Sequence, residues 1–131
     1  MKILFTTFIL FLILQTNAQV ISAINIGPDT GYENIFIKKL YNDSLTSTFI
    51  IWIKKEVVLH KHDFHTEQVY VLEGEAEMRI GDEWKEIKAG DVIFIPIGVA
   101  HAVKVTSIIP LKVLSIQTPE FDGVDRIIVN E

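Results

Sequence analysis

The chain has 131 residues, 49% of them apolar, and carries 17 acidic against 12 basic residues for a net charge of −5. That describes one small domain with enough apolar content for a core, and its scattered lysines exclude the clustered basic surface that a nucleic-acid partner requires. With no cysteine in the sequence, disulfides, thiolate metal ligands and lipidated cysteines are excluded as well.

Met1-Lys2 is followed by an apolar run from Ile3 to Leu14 and then by Gln15-Thr16-Asn17-Ala18. A basic start, a short hydrophobic region and a small residue at the expected cut predict a signal peptide over residues 1–18, leaving Gln19 first. The run is shorter than the ~20 apolar residues of a membrane span. Without Lys2 the mature chain holds 11 basic against 17 acidic residues, net −6. The expectation is an exported protein, periplasmic or extracellular, free of the membrane in its mature form and held together by packing rather than crosslinks.

Residues 19–34 contain Gly27, Pro28, Asp29 and Gly31 and read as a lead-in with a turn. From Ile35 the pattern is β throughout. Ile35–Tyr41 and Thr48–Ile53 are rich in β-branched and aromatic residues and flank the turn-like Asn42-Asp43-Ser44. Val57–His62 and Glu67–Leu72 follow. Glu75–Ile80 alternates Ala76, Met78 and Ile80 against Glu75, Glu77 and Arg79, the signature of a sheet with one solvated face. Gly81-Asp82 turns the chain into Glu83–Lys88 as a hairpin. Val92–Ile95 stops at Pro96-Ile97-Gly98, His101–Thr106 and Leu111–Thr118 flank Pro110, and Ile127–Val129 offers a last short strand. Many short strands divided by Gly, Pro and Asp turns predict an all-β sandwich or barrel over residues 35–131, its core about 35–118.

Three of the four histidines fall between Val57 and Gly74. His60 and His62, two apart on a strand, point to one side. Glu67 opens the next strand and can face the same space, and His101 would have to arrive from a remote strand. Imidazoles with one carboxylate suit a single divalent transition ion, Mn, Fe, Co, Ni, Cu or Zn. Spacing alone leaves a metal site and a polar surface patch both open.

The motif spacing adds to this. His60-Lys61-His62, Glu67 and Gly74 resemble the first motif of the cupin superfamily, and Gly90, Pro96-Ile97-Gly98 and His101 resemble the second. The short separation, Glu75 to Ala89, is that of small single-domain microbial cupins. The resemblance implies a double-stranded β-helix, or jelly-roll barrel, with His60, His62, Glu67 and His101 as ligands of one ion. The sequence departs from the pattern at Lys54, where a glycine is usual, and at Val105, where an asparagine is usual. By strand parity Val58, Val69, Val71, Val103 and Val105 should line an apolar pocket beside the site. His65 is expected to face solvent from the turn, the alternatives being that it supports a ligand or stands in for one. Asp63 is expected to serve the turn. Glu73 lies too far along its strand to join Glu67. Trp52 and Trp84 are expected to be core or dimer-contact residues.

The function expected is that of a metal-dependent enzyme of dioxygenase or isomerase type on a small molecule. The alternative is a non-catalytic metal- or small-molecule-binding module, since one scaffold hosts many activities. A homodimer is expected through Ile108-Ile109 and Ile127–Val129.

Overall fold

The computed structural model describes residues 18–130, so the leader expected over residues 1–18 lies outside the described residues except for Ala18. Among the described residues no helix is long and apolar enough to cross a membrane. Among the described residues a 3-10 turn at Ala23–Asn25 is followed in chain order by ten strands: β1 (Ile35–Asn42), β2 (Ser47–Ile53), β3 (Glu56–Lys61), β4 (Thr66–Glu73), β5 (Glu75–Ile80), β6 (Glu83–Lys88), β7 (Val92–Ile95), β8 (His101–Val105), β9 (Leu111–Thr118) and β10 (Ile127–Ile128).

These form two five-stranded antiparallel sheets, ordered β1-β2-β9-β4-β7 and β10-β3-β8-β5-β6, the all-β jelly roll expected. Alternation explains the layering. Inward Val69 and Val71 of β4, Ala76 and Met78 of β5, and Leu111 and Val113 of β9 meet in one buried cluster between the sheets with Ile53, Ile87, Ile93, Ile95 and Val103. The lead-in serves the opposite face of the first sheet. Tyr32 packs on Phe36 and Phe36 on Trp52, while Lys112, paired in register with Trp52, donates from Nζ to the Ile24 carbonyl at 2.8 Å. Trp52 is accordingly buried outside the central core, whereas Trp84 stays exposed beneath Lys104.

Two register shifts decide which side chains face the site. In β3, Val57 pairs with Val103 and His60 with His101, so β3 carries an extra residue between those two pairs. Such a bulge reverses strand parity. Val57 therefore lines the interior and Val58, 50% exposed, faces out, which corrects the expected pocket lining. In β4 a second bulge sets Glu73 opposite Lys112, where its carboxylate accepts from Lys112 Nζ at 3.1 Å on the outer face. At the β4–β5 corner Gly74 holds a φ of +83°, and a Cβ there would meet the Pro110 carbonyl oxygen at 2.8 Å.

Candidate metal centre

His60 lies near the end of β3, His62 just beyond it, Glu67 is the second residue of β4 and His101 opens β8. Register brings them together. His60 and His101 are cross-strand partners with ring centroids 4.2 Å apart, and the loop Pro96-Ile97-Gly98 fastens the end of β3 through a hydrogen bond from Gly98 N to the His62 carbonyl at 2.7 Å. One ligand atom from each of His60, His62 and His101 lies within 4.8 Å of the other two, all three residues being buried.

Each ring is oriented by a main-chain carbonyl. Nδ1 donates to the Val58 carbonyl at 2.8 Å in His60 and to the Val99 carbonyl at 3.0 Å in His101, while His62 Nδ1 donates to the carbonyl of Asp125. A carbonyl only accepts, so Nδ1 carries the proton of the neutral ring and Nε2 keeps its lone pair. Nε2 of His62 and of His101 are buried with no aligned hydrogen-bond partner. Glu67 Oε2 stands 3.3 Å from His101 Nε2 and 3.7 Å from His62 Nε2, and its Oε1 accepts from Ser115 Oγ at 2.5 Å. Burial alone would raise the Glu67 carboxyl, but hydrogen bonding and charge from the His101 and His62 rings, which act only when an Nε2 carries a proton in place of its lone pair, outweigh it and hold the carboxyl well below the usual carboxylate range. Burial, with His101 close by, pushes His60 down to about 4. His62 is raised: burial opposes its charged form, but the Glu67 carboxylate and the Asp125 carbonyl favour it more strongly. Three fixed, buried imidazoles are a donor set that fits a divalent transition ion, and the Glu67 carboxylate stands beside two of them.

Residues 48–117, just over half of the chain, match the cupin domain family. The chain belongs to the cupin domain family. The cupin is 36% identical over 95 residues to an uncharacterised protein of Aquifex aeolicus, covering 72% of this chain and 78% of that one. A Klebsiella pneumoniae protein with a double-stranded β-helix domain superposes at a TM-score of 0.74, with 17% identity, over 88% of this chain and all of that one. A Streptomyces protein solved with uridine superposes at 0.67, with 14% identity, over 77% of this chain and 82% of that one. At such identities these two structures establish the fold alone.

The four residues line a cavity of about 460 Å³ in the cupin. Val57, Val69 and Val103 line it, while Val71 and Val105 lie in or against the apolar cluster and off the wall. Val105 therefore does not set the polarity of the pocket as expected. An amide does line it, from Gln117 of β9, which pairs in register with Glu67. Gln117 and Ser115 share the inward parity of Leu111 and Val113, a signal legible in the sequence that the motif-centred reading passed over.

Two further residues of the site come from the C-terminal tail. Arg126 lines the cavity, and Asp125 fixes the turn between β3 and β4. The Asp125 carboxylate accepts from the backbone N–H of Asp63 at 2.8 Å, from that of Phe64 at 2.9 Å, and from His65 Nδ1. Burial would raise the Asp125 carboxyl, but His65 and the two amides hold it below its ordinary value. His65 does not face solvent. It is 4% exposed, with Nδ1 on Asp125 and Nε2 2.7 Å from the Glu120 carbonyl. It is a support beneath the site, because the tail passes over the turn and closes it. Phe121 packs edge-on against both His62 and His65.

Proposed function

We propose that this cupin is an exported metal-binding protein whose His60, His62, Glu67 and His101 hold one divalent transition ion, and that it acts on a small molecule as a metal-dependent enzyme of dioxygenase or isomerase type. The observation that carries this reading is the pair of buried, unpartnered Nε2 atoms on His62 and His101 beside the Glu67 carboxylate. An uncoordinated set of that kind costs stability, and a bound ion removes the cost. The ion would supply Lewis acidity or oxygen activation with positions left open for substrate. The protein orients the three rings through carbonyls, keeps Glu67 ionised and surrounds the polar end with an apolar wall.

A second reading, a non-catalytic binding module, has one observation in its favour. Among the described residues lining the cavity, the only histidine or carboxylate side chains are the proposed ligands themselves, which leaves no separate acid or base. The two readings separate on turnover. An enzyme reconstituted with Mn, Fe, Ni or Zn loses activity, and keeps its fold, on His101→Ala. A binding module takes up metal with no turnover on oxygenase or isomerase substrates. A homodimer is part of the proposal, supported by exposed Ile108, Ile109, Ile127 and Ile128. A dimeric mass in solution is expected, and a monomeric one contradicts that part.

A further inference from the structure

The proposed ligands leave two polar groups of the cavity without a role. Gln117 is 6% exposed, lines the cavity opposite Glu67, and its Oε1 has no hydrogen-bond partner. Arg126 also lines the cavity, from an exposed position, and among the described residues its guanidinium makes no ion pair and no side-chain hydrogen bond, the Glu67 carboxylate being its electrostatic neighbour. β10, paired to β3 at Lys61 and His60, fixes the chain immediately after Arg126, so the guanidinium is held beside the histidines rather than on a free tail. The remaining wall is almost wholly apolar, with Ile51, Ile53, Met78, Ile87 and Leu111 among its residues.

A buried amide oxygen without a donor, and a guanidinium on the same cavity that touches no anion, are groups that a ligand can partner. We propose that the cavity accepts a compact organic anion, with its carboxylate or phosphate on Arg126, a hydroxyl on Gln117 beside the metal, and its apolar body against the isoleucine and leucine wall. The proposal rests on the metal-site reading above for the position of the hydroxyl, and on Arg126 alone for the anion. Size agrees with charge. About 460 Å³ is at the small end of the range for small-molecule sites, and an apolar wall adds affinity for a branched or planar body. Glu67 attracts Arg126 but makes no ion-pair contact with it, its two oxygens facing Ser115 and the ring nitrogens of His62 and His101, so the guanidinium's donors stay open to a ligand.

The test uses the purified protein loaded with Co(II), with 2-hydroxy-4-methylpentanoate, its neutral amide and isopentyl phosphate as probes, read by calorimetry and by the cobalt absorption. The wild type should bind the hydroxy acid or the phosphate about tenfold or more tightly than the amide, the range of a charge-assisted hydrogen bond. Whichever anion binds more tightly identifies the head group. Arg126→Gln should remove that preference and leave amide binding and cobalt content unchanged, Arg126→Lys should keep part of it, and Gln117→Leu should weaken acid and amide alike. Equal binding of acid, phosphate and amide by the wild type, or an undiminished anion preference in Arg126→Gln, overturns the proposal. Failure of the metal reading has a different sign: no cobalt uptake by the wild type. The anion preference is then measured by calorimetry on the metal-free protein, where the same comparison of wild type with Arg126→Gln decides it.

Discussion

Asp125→Ala probes the least expected part of the site, the tail that closes over it. The wild-type carboxylate is 7% exposed and takes three donors: the amides of Asp63 and Phe64 and the ring of His65. Truncation leaves all three without their acceptor, one of them the buried His65 ring, and at ~1–3 kcal/mol for each unsatisfied donor, less for the part-buried amides, the loss should be ~3–5 kcal/mol. At ~4 °C per kcal/mol for a domain of this length, the melting temperature should fall by about 12–20 °C. Asp125→Asn keeps one accepting oxygen and should lose roughly half as much. The same change frees the Asp125 carbonyl that orients His62, so metal affinity should fall by about 10–100-fold. Thermal melts of the metal-free protein and metal titrations separate the two effects. In a double-mutant cycle with His65→Ala the losses should be clearly less than additive, because both substitutions break one contact. A melting temperature within a few degrees of wild type, or full additivity with His65→Ala, refutes this account of the tail.

Three other outcomes follow from the same geometry. Gly74→Ala should cost about 2 kcal/mol or more, since it combines a left-handed backbone with contacts at 2.8 Å to Pro110 and 3.0 Å to Leu111, both main-chain atoms; denaturant melts read it. For His60, burial lowers the folded value from 6.5 to about 4, so the unfolded chain binds more protons between those limits. Stability of the metal-free protein should therefore be fully present above pH 6.5 and fall by up to ~3 kcal/mol toward pH 4, with Glu67 adding to the loss as pH drops further. His62 acts in the opposite sense, its stabilisation fading as pH rises through its raised value. A flat melting temperature between pH 7 and 4.5 contradicts the buried, neutral state of His60. The mass of the protein in solution should be that of a dimer, as measured by light scattering.

The strands and their order along the chain were legible because alternation and turn residues reported them directly, from Ala76-Met78-Ile80 to the Gly81-Asp82 hairpin. The convergence of His60, His62, Glu67 and His101 in space was implied by the resemblance of two stretches to the cupin motifs, since spacing alone left it open. What parity could not report was a bulge. The extra residue in β3 exchanged Val57 for Val58 at the wall, and the one in β4 sent Glu73 to Lys112. Gln117 and Ser115 were available by parity and needed only β9 to be read inward. Asp125 and Arg126 follow Asp122-Gly123 in an irregular tail with no periodicity to place them, and the burial of His65 depends on that tail. Their positions are tertiary facts, fixed by the pairing of β10 with β3 and by the contacts of Asp125.

The central claim is that four converging side chains hold one ion, and metal content tests it most directly. Elemental analysis of the purified protein, before and after exposure to Mn, Fe, Ni and Zn, should give a single divalent ion per chain, with His101→Ala losing it while retaining the β-sheet circular dichroism of the wild type. A wild-type protein that carries no stoichiometric metal and takes none up, or a His101→Ala variant that binds as the wild type does, contradicts the account.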